Sequence, residues 1–449
     1  MPRLFGTDGI RGVANVDLKP TTAFALGCAT AHRLVEPGGA IVVGQDTRRS
    51  GDMFVAAIAA GATSLGVTVS VVGVVPTPAL AFLAAAGDAA AGIMVSASHN
   101  PAEDNGLKVL DGDGLKLDDA VEDELEQLIW RSDELTGVPA DMIGTIVDAR
   151  DRIARYVAHR EALAATIDAS GLRIVLDCAN GSASGVGAQI IRATGAQVEV
   201  INDQPDGLNI NLRSGATDPA GLAARVVERG ADLGFAVDGD ADRLVAVDGS
   251  GAVVDGDRII GVLALERLGR AGADRGDPSI GTLVVSVLSN GGLQAAVEKA
   301  GGTVVRTPVG DKYILDGMQV SGASLGGEKS GHVIVREHTT SGDGLVTALE
   351  VLRVVTSSGR RLAELANGIP LLPQEQRAVR VRHKEQWEGD PVLQRAIADA
   401  ESRLGAGGRV LVRPSGTEPS LRVMIEGGDA DLVRELADGL SALAEQRLH

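Results

Sequence analysis

Cysteine is nearly absent: the 449 residues hold two, Cys28 and Cys178, far apart and each in an apolar or strand-like context. That excludes a disulfide framework and reads as two buried thiols in a reducing cytoplasm. Cations are in deficit as well. Lys plus Arg number 42 against 60 Asp plus Glu, and the net charge of -18 argues against DNA, RNA or an acidic membrane as partner. An anionic small substrate must therefore be held by a local cluster of cations and backbone amides, acting against the global field. The opening MPRLFGTDGIRG has no apolar run and carries Arg3, Asp8 and Arg11, so no signal peptide is expected. Nucleotide signatures are missing too: GSASGVG (181–187) lacks the G-x-G-x-x-G spacing, and no Gly-Lys pair exists for a P-loop. One stretch, Met53 to Gly87, has no charged residue and is long enough to raise a membrane span. Its Gly, Ala, Thr and Ser content, Pro76 and Pro78, and a midway switch from helical period to continuous β-branched residues point instead to buried α/β elements.

What is present is an ordinary globular composition, 44% apolar and 23% charged, in a chain long enough for about three domains, with four allowed. A weak internal repeat runs through it: apolar strand, polar loop, helix, second strand. AIVVG (40–44) leads through QDTRRSG to a helix ending near Leu65-Gly66, then VTVSVV. RIVLD (173–177) leads through CANGSAS to a helix ending at Thr194-Gly195, then AQVEVI. LVVSV (283–287) leads through LSNGG to a helix ending at Ala300-Gly301, then TVVRT. Each glycine suits a helix C-terminal cap. The fold class is α/β: three similar mixed α/β sheet domains, with boundaries near 155, 255 and 370, followed by a smaller α+β domain. That last unit reads as strand (RAVRVRH), helix 387–404, two strands around RVLVRPSGTEPSLRVMIE, and a terminal helix from Ala430.

Two segments carry the chemistry. In AVDGDADR (236–243), directly after the apolar DLGFA, the carboxylates of Asp238, Asp240 and Asp242 stand at i, i+2 and i+4. On an extended backbone they project to one side and suit a hard cation such as Mg²⁺; the alternative is a solvated Asp-Gly turn. A calcium loop is excluded, because Arg243 stands where Gly is required and Gly249 where Glu is required. In GIMVSASHNP (92–101) an apolar strand runs into a polar loop stopped by Pro101, with Ser98 beside His99. Alone, that pair reads as loop hydrogen bonding before it reads as a nucleophile needing activation. Taken together, a phosphorylated Ser98 supplies the metal with its missing ligand. Three carboxylates, a phosphate dianion and Mg²⁺ sum to roughly -3, so cations must be near; Arg11, Lys108 and Arg243 are the candidates.

SASHNP, DGDADR, GGEKSGH (326–332), RPSGTEP (413–419) and the opening FGTDGIRG together resemble the α-D-phosphohexomutases, in order and over essentially the whole chain. The resemblance implies four domains around a central cleft, each giving one loop: 1–155 with phosphoserine, 156–255 with metal, 256–370 with sugar, 371–449 with phosphate. It implies a cytoplasmic isomerase interconverting glucosamine 6-phosphate and glucosamine 1-phosphate through a 1,6-bisphosphate, feeding cell-wall amino-sugar precursors. The small-molecule partner is a sugar phosphate, and a homodimer is compatible. By position, Ser98 is the phosphoserine, and Asp238, Asp240 and Asp242 hold Mg²⁺ with it. Arg11, Lys108 and Arg243 lie near the transferring phosphate, Lys108 foremost for proton handling and His332 assisting. Glu328 and Ser330 grip sugar hydroxyls; Arg413, Ser415, Gly416, Thr417 and Arg422 hold the other phosphate. Lys329, Gln45 and HTTSGDG (338–344) depart from the family's pattern. Lys329, between two sugar-gripping residues, bears on the sugar preference and leaves glucose or mannose phosphates as alternative substrates; a metal-dependent phosphatase is the alternative of another class.

Overall fold

Each of the three sequence repeats folds as a parallel βαβ unit in the computed structural model, which describes residues 3–6, 8–36, 38–415 and 419–449. Strand Ala40–Gln45, helix Gly51–Ser64 and strand Thr68–Val74 form the first. Arg173–Asp177, Gly187–Arg192 and Gln197–Ile201 form the second. Thr282–Ser286, Gly291–Lys299 and Thr303–Thr307 form the third. The glycines read as caps, Gly66, Gly195 and Gly301, have φ of 84°, 85° and 89°, the left-handed backbone that turns the chain off a helix.

Among the described residues the strands make four sheets. The first runs, in spatial order, Phe5–Gly6, Gly9–Val13, Asp104–Asp111, Ala91–Val95, Ala40–Gln45, Thr68–Val74, Ile146–Asp148. The second runs Val253–Val254, Leu244–Asp248, Leu233–Val237, Arg173–Asp177, Gln197–Ile201, and the third Thr303–Thr307, Thr282–Ser286, Leu325–Gly327, Val333–Val335. The fourth is antiparallel: Gln374–Arg380, Ser420–Glu426, Arg409–Pro414. Every sheet thus carries an antiparallel hairpin beside its other strands: 91–95 with 104–111, 233–237 with 244–248, 325–327 with 333–335, and 409–414 with 420–426. The turns of the first three hairpins fall in the motif segments SASHNP, DGDADR and GGEKSGH. A parallel crossover cannot bring a short loop back on itself, whereas a hairpin holds its turn at a fixed height above the sheet.

The charge-free stretch 53–87 divides into all but the first two residues of helix Gly51–Ser64, strand Thr68–Val74 and the short helix Thr77–Leu83. Among the described residues no helix is long and apolar enough to cross a membrane. A continuous apolar core joins the first three sheets through Leu80, Met94, Leu176, Phe235, Leu263 and the nearly all-buried helix Gly344–Ser358. The last unit has its own core around Leu393, Val423, Ile425 and Leu436. Its first helix spans Pro391–Leu404 rather than starting at 387. Asp390 accepts from Val392 N and Leu393 N, and Pro391 needs no partner for its missing N–H in the first turn, so this pair sets the start. The terminal helix Ala430–Arg447 is capped in the same way by Asp429.

Candidate active site

The serine loop is shaped by an ion pair inside its own sheet. Ser96 Oγ accepts from Ser98 N at 2.9 Å and donates to Asp46 Oδ2 at 2.6 Å. Arg48 Nε donates to the same carboxylate at 2.9 Å, and the rest of its guanidinium donates to the carbonyls of Ser98 (3.0 Å), Asn100 (2.8 Å), Asp104 (2.9 Å) and Pro101. Both charged side chains are fully buried. Within this frame Ser98 has a φ of 50°, a strained value for a residue with a Cβ, and its hydroxyl is aimed at the second sheet. There Asp238 Oδ2 accepts from Ser98 Oγ at 2.6 Å. His99 Nδ1 lies 3.4 Å from the hydroxyl, and burial, with Arg243 and Arg11 nearby, lowers this imidazole to about 4, so it is neutral at neutral pH.

The acidic loop is a turn and not an extended segment. Along a strand, Asp238, Asp240 and Asp242 would stand about 7 Å apart in succession. Ala241 instead takes a φ of 58°, closed by hydrogen bonds from Ala241 N to Asp238 O (3.0 Å) and from Gly344 N to Ala241 O (3.0 Å). One oxygen from each carboxylate then lies within 4.8 Å of the others. All three side chains are buried, and Asp240 Oδ1 and Asp242 Oδ1 have no hydrogen-bond partner. Burial and then repulsion from Asp242 and Asp240 push the Asp238 carboxyl well above the usual range. Asp242 is held below it in spite of burial, by Lys108, His332 and Arg243. Converging, orphaned carboxylate oxygens in a dry site fit a hard divalent cation such as Mg²⁺.

The sequence-derived cations gather here. Lys108 Nζ donates to Asp240 Oδ2 at 2.8 Å and lies 3.1 Å from Asp8 and 3.8 Å from Asp242. Burial opposes its charge, yet these carboxylates outweigh it and raise its hold on the proton. Arg243 Nε lies 3.9 Å from Asp238 and 3.8 Å from Asp242. Arg11 pairs with Asp8 and donates to Asn100 Oδ1 at 3.4 Å. His332 stands between Asp242 (Nδ1, 3.6 Å) and Asp311 (Nε2, 3.6 Å). Burial favours the neutral ring and is outweighed by the Asp242 and Asp311 carboxylates, while the Gly342 N–H, donating to Nε2 at 3.1 Å, works for the neutral form.

The GGEKSGH segment is joined to the acidic turn through the backbone. Leu244 N donates to Gly331 O at 3.0 Å, and Arg243 bridges His332. Gly331 has a φ of 92°, and a Cβ there would stand 2.2 Å from Leu244 O, so only glycine allows this approach. Glu328 Oε1 accepts from Gly310 N at 3.1 Å, and Ser330 is exposed. Lys329 turns away from both: its Nζ donates to Gln374 Oε1 at 2.6 Å, on the first strand of the last unit. In that unit Arg413 and Arg422 are direct cross-strand partners. Like charges in that register repel, which readies the pair for an anion. Burial and Arg422 lower the Arg413 pKa, with Glu328 acting in the opposite direction. Ser415 is buried, its carbonyl accepting from Lys384 Nζ at 2.5 Å. Gly416 and Thr417 lie outside the described residues.

Sequence reasoning missed the supporting residues. Asp8 sits among Lys108, Arg11 and Lys116, and Lys116 reaches on to Asp311 at 2.7 Å. Thr77 Oγ1 donates to Asp240 Oδ2 at 2.6 Å. The available signals were Asp8 inside FGTDGIRG and the Asp46 and Arg48 pair two residues apart in QDTR.

The phosphoglucomutase/phosphomannomutase models match along the chain: alpha/beta/alpha domain I over residues 2–136, domain II over 154–251, domain III over 255–371 and the C-terminal domain over 378–443. A phosphoglucosamine mutase of Moorella thermoacetica is 47% identical over 447 residues, covering 99% of both chains. That of Rhodococcus jostii is 47% identical over 448 residues, covering 98% of this chain and 99% of the relative. Among solved structures, a phosphoglucomutase/phosphomannomutase family protein from Burkholderia thailandensis superposes with a TM-score of 0.79 at 24% identity, over 100% of this chain and 99% of that one. The Aspergillus fumigatus N-acetylphosphoglucosamine mutase, solved with GlcNAc-6P and magnesium, has a TM-score of 0.66 at 19% identity, over 99% and 96%.

Proposed function

The chain belongs to the phosphoglucomutase/phosphomannomutase family, and from that premise we propose that it interconverts glucosamine 6-phosphate and glucosamine 1-phosphate, Ser98 carrying the phosphoryl group between them. The observation that carries the reading is the 2.6 Å bond from the Ser98 hydroxyl to Asp238, which joins the hairpin turns of two different sheets. Asp238, Asp240 and Asp242 would hold Mg²⁺, which supplies positive charge against the oxygens of the transferring phosphoryl group.

In the forward step the bond between Ser98 Oγ and phosphorus breaks as a bond forms from the sugar hydroxyl, giving a 1,6-bisphosphate. The proton of that hydroxyl passes to the serine oxygen, and it goes to the freed sugar oxygen when Ser98 takes up the other phosphoryl group. Lys108, Arg11 and Arg243 surround this point and neutralise charge; transfer is otherwise a matter of alignment. Lys108 Nζ, 2.8 Å from Asp240 and 3.1 Å from Asp8, would add positive charge here and handle the proton. The bisphosphate must turn over between half-reactions, so one phosphate site accepts either end of the sugar. Arg413 and Arg422, with Ser415, suit that task because they read phosphate and ignore the ring. Glu328 and Ser330 would hold the hydroxyls that exchange places. With its ammonium on Gln374, Lys329 puts no charge against a protonated 2-amino group.

Free, buried thiols at Cys28 and Cys178 suit a reducing cytoplasm, where such a product enters amino-sugar precursor synthesis. A product assay tests the reading: purified protein, Mg²⁺ and a trace of glucose 1,6-bisphosphate, with glucosamine, glucose and mannose phosphates compared. Glucosamine 1-phosphate should form fastest. Release of inorganic phosphate in its place would make the protein a phosphatase, and faster turnover of glucose or mannose phosphate would move the substrate.

A further inference from the structure

The carbonyls of Ser98 and Asn100 are each claimed twice. Arg48 Nη2 donates to them at 3.0 and 2.8 Å, and Asn211 Nδ2 donates to the same two oxygens at 2.8 and 3.1 Å. A carbonyl oxygen has two lone pairs, so both acceptors are filled by this pair of side chains. The two donors come from different sheets. Arg48 belongs to the unit that carries Ser98, whereas Asn211 follows strand Gln197–Ile201 in the second unit, its own N–H bonded to Ala179 O at 2.9 Å.

We propose that Asn211 is a positioning residue for Ser98, tying the serine loop to the unit that carries the acidic turn; this rests on the mutase reading above. Three observations support it. Ser98 has a φ of 50°, a backbone state that persists only where its surroundings enforce it. Fixing the carbonyl on one side of that Cα fixes the direction in which Oγ leaves it. Next, the contact is built at close quarters: a Cβ at Gly239 would stand 2.6 Å from Ser98 O and 2.9 Å from Asn211 Nδ2, so glycine within the acidic turn makes room for the amide to reach the serine carbonyl. Last, the two carbonyl acceptors dictate that the amide nitrogen faces them, and Asn211 Oδ1 is left buried without a partner. An orphaned buried oxygen is costly, and an amide chosen for packing alone would not leave one. Asn211 itself has a φ of 58°, which Asn, Asp and Gly tolerate best.

That tolerance defines the test. Asn211→Asp keeps shape and backbone preference but turns an acceptor toward two carbonyls; Asn211→Gly removes the donor without adding charge, and carries the test alone if the carboxylate prevents folding. Ser98 is loaded with phosphate from glucose 1,6-bisphosphate, and single-turnover transfer to glucosamine 6-phosphate is followed by rapid quench. Both variants should lose about ten-fold or more in the transfer rate constant, the aspartate more than the glycine, since small misalignments of reacting atoms are expensive. The amplitude, which counts competent molecules, and the KM for sugar phosphate should not change. The phosphorus NMR resonance of the loaded, magnesium-free protein should shift in both variants. Unchanged rate constants, or a lower amplitude at an unchanged rate constant, would reduce Asn211 to a folding role and overturn the proposal. Should the unaltered protein send its phosphoryl group to water, the mutase reading fails, and the phosphorus resonance alone decides for or against Asn211.

Discussion

The hydroxyl of Ser98 donates to the carboxylate of Asp238 at 2.6 Å across 140 residues of chain. Neither residue sits on a long flexible loop. Each lies in the turn of an antiparallel hairpin, one between strands 91–95 and 104–111, the other between 233–237 and 244–248, and the sheets beneath share one apolar core. Ser98 and Asp238 are therefore aligned by packing established far below their two turns.

Asp240 gives one oxygen to Thr77 and Lys108 and leaves the other without a partner. Asp240→Asn should lower kcat about 100-fold or more, in proportion to a lost metal ligand. The fold should hold, because an amide still accepts from Thr77 and because Lys108 retains Asp8 and Asp242. Turnover measured across a magnesium titration, beside a melting curve, checks this; near-normal turnover would remove Asp240 from the site.

Arg48 answers a buried carboxylate and four carbonyls at once. Arg48→Met leaves Asp46 charged and unpaired, at a cost of about 3–5 kcal/mol in denaturant unfolding. Arg48→Lys should rescue little of this, since one ammonium cannot span the positions that a planar guanidinium reaches. Wild-type stability in the lysine variant would mean that the loop does not depend on the fork.

Burial pushes the Asp257 carboxyl from 3.8 up to about 6, although Asn290 N donates to it. A carboxyl whose folded pKa lies above its unfolded one binds more protons when folded. Its contribution is thus complete below about pH 4 and is lost as pH rises through about 6, a change of ~3 kcal/mol. Asp257→Asn should leave the melting temperature unchanged near pH 4 and raise it near pH 8. The same shift at both values would locate the titration elsewhere.

Lys329 stands between two residues expected to grip the sugar, yet its amine is bonded to Gln374. Lys329→Gln should leave the ratio of kcat/KM for glucosamine 6-phosphate over glucose 6-phosphate unchanged. A changed ratio would return Lys329 to the sugar-binding surface.

Much of this was legible in the chain. Continuous apolar runs such as RIVLD and LVVSV are what a sheet covered on both faces requires, and they are strands at those positions. Clustered aspartates and cations named the site, but their geometry was misread. One left-handed residue, Ala241, converts the acidic segment into a turn, and alanine gives no hint of that conformation. The start of helix Pro391–Leu404 was readable from Asp390-Pro391, a cap and first-turn pair that outweighs the helical pattern ahead of it. Contacts such as Lys116 with Asp311, or Asn211 with Ser98, arise only when separate sheets pack. Within the sequence GLNIN reads as an ordinary polar loop.

The most direct test follows the phosphoryl group itself. Protein loaded from glucose 1,6-bisphosphate should carry one phosphate, mapped to Ser98 by peptide mass and missing in Ser98→Ala, and with glucosamine 6-phosphate and Mg²⁺ an isotope label on that phosphate should pass through glucosamine 1,6-bisphosphate into glucosamine 1-phosphate while Ser98 regains unlabelled phosphate from the substrate. Phosphate found on another residue, or discharged as inorganic phosphate with no bisphosphate formed, would contradict the account.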